Sequence, residues 1–205
     1  MIFNPQRLLC ISPHTDDAEV SSGGTISRFL REGTQVHVLV LSSAAARIPA
    51  APRAECRQAL KILRVPEWNV ELHDFPVRRL LEARQNILDL LLRVKRTVDP
   101  DLVLLPSLND IHQDHQAVAL EGLRAFKDRT ILGYEYPWNH QVFNTTAFIP
   151  FTDADLATKI KAIGQYRSQR KAYMKPEIIR AWALTRGVAV KARYAESFEV
   201  LRLIL

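Results

Sequence analysis

The chain has 205 residues, 47% hydrophobic and 24% charged, a globular composition that fits one sizeable domain and excludes disorder, collagen and disulfide-stapled miniproteins. No stretch approaches the roughly 20 apolar residues of a membrane helix, and residues 1–6 run into Leu8-Leu9-Cys10-Ile11 without a signal-peptide pattern, so a cytoplasmic protein is expected. The formal charge of +6 is unevenly placed: residues 159–202 hold 11 Lys and Arg against 3 Asp and Glu, a local +8 that leaves −2 for the remainder.

Residues 8–11 and 36–41 are short apolar runs with β-branched content, and 20–31 between them reads as a helix, which makes a βαβ unit. Its right-handed crossover brings both strand ends to one edge of the sheet. Over 53–63, Cys56, Ala59, Leu60 and Leu63 recur at helical spacing. A short strand is expected at 70–72, then a helix over 80–96 ended by Asp99-Pro100. The uninterrupted run Leu102-Val103-Leu104-Leu105, closed by Pro106, suits a strand covered on both faces, and a helix over about 116–126 follows. Farther on, 131–136, 147–151 and 198–203 read as strands and 153–169 as a helix, while 171–195 has no clear assignment. Alternating strands and helices predict a single-domain, Rossmann-like three-layer α/β fold with a mainly parallel sheet over 1–205. Cys10 and Cys56 have neither a disulfide framework nor metal-ligand spacing and read as reduced core thiols.

Two polar clusters follow equivalent strands. Pro13-His14-Thr15-Asp16-Asp17-Ala18-Glu19 comes directly after the first, and Asp110-Ile111-His112-Gln113-Asp114-His115 soon after the run ending at Leu105. Loops leaving the carboxyl ends of parallel strands converge on one crevice, so the clusters can share a site. Imidazole and carboxylate suit zinc, and a catalytic zinc site commonly takes three protein ligands and leaves a position for water. His14, Asp17 and His115 would supply that set for one divalent ion per chain. Adjacent carboxylates do not easily chelate one ion from a tight turn, which leaves Asp16 as a general base toward an attacking water. His112 remains to protonate a leaving group or to polarise an oxyanion. Each cluster alone has a plainer alternative: Thr15 or Asp16 could simply cap the helix beginning near Val20, and a lone His-Gln-Asp-His could lie on the surface. His37, His73 and His140 read as structural.

Pro-His-Thr-Asp-Asp with Glu19 and Gly23-Gly24, followed downstream by Asp-x-His-x-Asp-His, resembles the LmbE-like, or PIG-L, family of zinc-dependent N-acetylglucosamine deacetylases. Further similarities are Arg53-Ala-Glu55 opening a helix, Tyr166-Arg-Ser168-Gln169, and Ala195-Glu196-Ser197-Phe198 before the last strand. The resemblance implies zinc on His14, Asp17 and His115, Asp16 as general base, His112 as acid or oxyanion stabiliser oriented by Asp114, and Arg53 as a substrate-binding arginine. Arg53 could instead form an ordinary first-turn pair with Glu55. Two departures stand out: Ser42-Ser43-Ala44-Ala45-Ala46 lacks a glycine-bearing loop, which bears on sugar specificity, and Arg64 replaces a glycine after the helix ending at Leu63, which bears on its cap.

The expected reaction is therefore removal of an acyl group, foremost acetyl, from an amino sugar or its conjugate. An amidase acting on a larger conjugate and a non-catalytic metal- or nucleotide-binding module are the alternatives. The basic stretch 159–202 lacks the aromatic interleaving or helix-turn-helix pattern of a nucleic-acid site. It is expected to be a solvated face, to steer an anionic substrate, or to meet a second subunit of a homo-oligomer.

Overall fold

The protein is described here by a computed structural model covering residues 5–43 and 51–204. Its elements are β1 (Arg7–His14), α1 (Asp17–Arg31), β2 (Gln35–Ser42), α2 (Ala51–Leu63), β3 (Val70–Leu72), α3 (Arg84–Val98), β4 (Leu102–Pro106), α4 (Gln113–Ala125), β5 (Thr130–Tyr134), β6 (Ala147–Phe151), α5 (Asp153–Ile163), α6 (Pro176–Val188) and β7 (Tyr194–Arg202). The strands form one seven-stranded sheet in the order β3-β2-β1-β4-β5-β7-β6. Pairing is parallel from β3 through β5, and β7 alone runs antiparallel to both its neighbours.

Alternation along the central strands builds the three layers. Leu8, Cys10, Val36, Val38, Leu102 and Leu104 face a core shared with α1, α2, α5 and α6. Leu9, Ile11, Leu39, Leu41, Val103 and Leu105 face the other core, with α3 and α4. With both sheet faces covered, the strands read as continuous apolar runs. Both cysteines are free and buried. Among the described residues no helix is long and apolar enough to cross a membrane.

Several boundaries differ from the sequence reading, each for a local reason. The helix expected from residue 80 begins at Arg84, because Leu80–Ala83 winds as a 3-10 turn whose first amide, Leu80 N, donates to Asp114 Oδ1 at 3.1 Å. The helix expected to reach residue 169 stops at Ile163, and the chain then turns so that Tyr166 can point inward, its hydroxyl donating to Thr15 O and Glu19 Oε1. The strand expected over 131–136 ends at Tyr134. The unassigned stretch holds α6, opened by Pro176 at its first turn; its buried residues Ile179, Ala183 and Gly187 are too small a stripe to stand out in sequence. Arg64 does occupy a glycine-like backbone position, at φ 70°. At Gly24 a Cβ would come within 2.6 Å of the Phe151 ring, so only glycine lets α1 lie this close to β6. Residues 44–46 of the glycine-free loop lie outside the described residues.

The site follows from the topology. β1 and β4 are neighbours at the centre of the sheet, but the helices after them pack on opposite faces. Their outgoing loops therefore diverge and leave a crevice at the carboxyl edge.

Candidate active site

α1 begins at Asp17 and α4 at Gln113, both earlier than the apolar periodicity indicates. The polar clusters thus form the first turns of two helices, with His14 closing β1. The plain capping alternative for Asp16 fails: the residue stands at the N-cap position of α1, yet its side chain makes no capping hydrogen bond. Its Oδ2 is instead buried without a hydrogen-bond partner, with Lys171 Nζ at 3.6 Å. Burial first, and the neighbouring Asp17 charge second, push the Asp16 pKa above the usual carboxylate range. A carboxylate with raised proton affinity is a competent base near neutral pH.

His14, Asp17 and His115 converge. Their candidate ligand atoms lie within 4.8 Å of one another, with Asp17 Oδ2 3.3 Å from His14 Nδ1 and 3.4 Å from His115 Nε2. Each imidazole is held from behind: His14 Nε2 lies 2.9 Å from Asp114 Oδ2, and His115 Nδ1 lies 2.7 Å from Asp110 Oδ2. A carboxylate behind each imidazole orients its ring, the kind of support that metal-binding histidines usually have. His14, His112 and Asp114 form another close group. There, however, the Asp114 oxygens are already engaged by His14 and by the backbone amides of Arg78 and Leu80.

Electrostatics favour a cation in the first group. Burial lowers the proton affinity of His14, but Asp114 and Asp17 outweigh it and raise its pKa to about 9. At His115 burial is likewise outweighed, by Asp17 and Asp110, to about 10. Burial alone would raise Asp17, but His115 and His14 hold its carboxyl well below the usual range. A field that retains two extra protons on these imidazoles is one a divalent cation could satisfy instead. The donor set, the two carboxylate-backed imidazoles and the Asp16 oxygen without a hydrogen bond therefore fit a divalent metal site.

His112 caps α4, its Nδ1 accepting from Asp114 N at 3.2 Å, which leaves the Nε2 proton free to donate. Burial and the neighbouring His115 and His14 lower its pKa. The orientation differs from that implied by the resemblance: the Asp114 backbone positions His112, whereas the Asp114 carboxylate holds His14. Arg53 is not among the cleft-lining residues; its guanidinium donates to Asp74 Oδ2 at 2.7 Å. The first-turn pair with Glu55 is absent too, since Glu55 accepts from the amide and hydroxyl of Ser168.

The sequence reading gave no role to Asp110 and missed Tyr136, whose buried hydroxyl donates to Asp17 Oδ1 at 2.9 Å. Tyr136 lies two residues past β5, at the same sheet edge as both clusters, and that placement was the available signal. Above these groups opens a cleft of about 690 Å³. Its far wall carries Trp138 stacked on Tyr173, ring centroids 3.8 Å apart, and Lys171. Lys171 is the one basic residue of 159–202 among the lining residues. Much of that basic stretch is engaged elsewhere: Lys159 pairs with Glu196 in the core, Arg186 with Glu135, and Arg193 with Asp153.

Solved structures share this architecture. The chain is 21% identical to the N,N'-diacetylchitobiose deacetylase from Pyrococcus horikoshii (TM-score 0.79, covering 97% of this chain and 84% of that one). It is 24% identical to the conserved protein TT1542 from Thermus thermophilus (TM-score 0.83, 97% and 95%). It is also 24% identical to GalB, the 4-carboxy-2-hydroxymuconate hydratase from Pseudomonas putida (TM-score 0.80, 98% of each chain). These likenesses establish the fold. Residues 9–126, which carry both polar clusters and the strands beneath them, match the family described as PIG-L: GlcNAc-PI de-N-acetylase, and the chain belongs to that family.

Proposed function

We propose that the protein is a zinc-dependent hydrolase that removes the N-acetyl group of an amino sugar or amino-sugar conjugate. The observation carrying this reading is the convergence of His14, Asp17 and His115 beside a buried Asp16 oxygen that no hydrogen bond occupies, on the floor of a sugar-sized cleft. Two imidazoles with one carboxylate favour a borderline ion such as zinc over magnesium. When bound, such an ion polarises a carbonyl and makes water acidic near neutral pH. Asp16 then accepts a proton from the attacking water, as its position and raised proton affinity allow. His112 offers its Nε2–H as a hydrogen bond to the developing oxyanion, and the proton that Asp16 took from the water passes to the departing amine. Asp110, Asp114 and Tyr136 position His115, His14 and Asp17 from behind.

The test is to strip the protein of metal, restore zinc, and score acetate and free amine from N-acetylglucosamine and its oligosaccharide, phosphate and lipid conjugates. Acetate released only after zinc is restored supports the reading. Tolerance of bulky acyl groups in place of acetyl would mark an amidase. Stoichiometric zinc binding with no amine released from any N-acylated sugar would overturn the assignment in favour of a binding module or a hydratase.

A further inference from the structure

We propose that Arg78 recognises an oxyanion, a phosphate monoester or a carboxylate, carried by the substrate of this cleft; the proposal rests on the N-deacetylase reading. Arg78 lies at φ 66°, a left-handed conformation that L side chains rarely adopt and glycine adopts without strain. Its backbone is pinned on both sides: the amide donates to Asp114 Oδ2 at 2.6 Å, and the carbonyl accepts from the Gln113 side chain. Glycine would serve those bonds equally well, so what arginine adds is its side chain. That side chain is exposed and has no hydrogen-bond, ion-pair or ring partner among the described residues. In this it differs from Arg53, which is paired with Asp74, and from Lys171, which leans toward Asp16 and lies over the Tyr173 ring.

Position gives the free guanidinium its use. Arg78 lines the cleft over the triad His14, Asp17 and His115 and also lines a second cavity of about 310 Å³. The two cavities share Arg78, His112 and Asn139. A substrate whose amide is presented to His112 can therefore extend a substituent past that histidine toward Arg78. Asp114, the carboxylate that accepts from the Arg78 amide, is fully buried and bonded also to His14 and the Leu80 amide, so it does not compete for the guanidinium. A planar fork of donors on a pinned backbone suits bidentate binding of phosphate or carboxylate.

The experiment compares zinc-loaded wild type, Arg78→Met, Arg78→Lys and Lys171→Met on N-acetylglucosamine, its 6-phosphate and N-acetylmuramic acid, the last two separating phosphate from carboxylate. Wild type should prefer at least one anion. Arg78→Met should lower the anion-to-neutral ratio of kcat/KM by a factor on the order of 10–100, the scale of a charged hydrogen-bonded pair, mainly through KM. Arg78→Lys should recover part of it. No anion preference in wild type, an unchanged ratio in Arg78→Met, or a larger fall in Lys171→Met would overturn the proposal. Direct titration of the zinc-loaded proteins with glucosamine 6-phosphate, followed by tryptophan fluorescence, decides the point even if no acetate is released. Binding weakened by Arg78→Met then keeps Arg78 as an anion site while the deacetylase reading falls, and equal binding by both proteins removes Arg78.

Discussion

The floor and the far wall of the cleft are held by different physics. The floor consists of His14, Asp16, Asp17, His112 and His115, all within the family-matched residues 9–126, and each of its imidazoles and the Asp17 carboxylate is oriented by at least one hydrogen bond of fixed direction. The wall comes from later in the chain, and Trp138, Tyr173 and Lys171 meet through ring stacking and a cation–ring contact, which tolerate sliding. A metal site needs ligands placed to a fraction of an ångström, whereas a surface that accommodates a sugar needs area more than direction. On the proposed reading, the chemistry and the stacking surface for the sugar ring fall to separate parts of the chain, while Arg78 adds an anion contact on the side of the floor. Tyr136 joins them, reaching from the wall segment to Asp17.

The strongest test of that division lies within the floor. His115→Ala should cost at least about 10²-fold in zinc affinity, because one of three protein ligands disappears. Asp16→Asn should keep zinc bound while kcat falls on the order of 10²-fold or more. Metal content by mass spectrometry alongside kcat separates the two, and equal metal loss in both variants would erase the distinction between ligand and base.

Across the cleft the expected effect is smaller and of another kind. Trp138→Ala should raise KM about 2–10-fold, the scale of one stacked aromatic contact, and leave zinc content alone. If kcat falls as far as in Asp16→Asn, the wall takes part in the chemistry and the division fails.

The smallest effect is expected away from the cleft, where α5 from the later part of the chain packs on α1. Asp155 closes a capping box with Thr152 at the start of α5 and also bonds Ser27 and Arg31 of α1. Burial would raise its pKa, but the Thr152 amide and hydroxyl and Arg31 hold it below the usual value. A depressed native pKa stabilises the fold above the unfolded value of about 3.9, and the contribution is lost as pH falls through the native one. Asp155→Asn should therefore cost about 1 kcal/mol at pH 7, with the two proteins converging below about pH 4 in urea melts. A difference that persists in acid would mean that shape, not charge, holds the joint.

Legibility in the sequence followed the source of each signal. The strands at Leu9, Val38 and Leu104 stand out because burial on both faces demands continuous apolar residues. The first turns of α1 and α4 escaped the periodicity because site residues, not core residues, occupy them. The rule that active loops leave the carboxyl ends of parallel strands brought His14 and His115 together over a hundred intervening residues. The same rule, applied to β5, reaches Tyr136. The partner of Arg53 was not legible: a motif gives a side chain's place on a helix, not which carboxylate it meets, and here it meets Asp74.

The sequence by itself determined the layered α/β plan and the metal-type donors, because hydrophobic period and residue chemistry are local properties of the chain. Only the tertiary structure decided that Asp114 backs His14, that β7 runs antiparallel, that Lys159 is consumed in a buried pair and Arg186 in a half-buried one, and that Arg78 is left free beside the cleft. Each of these depends on which of many chemically equivalent partners lies within a few ångströms, and that is set by the packing of distant segments.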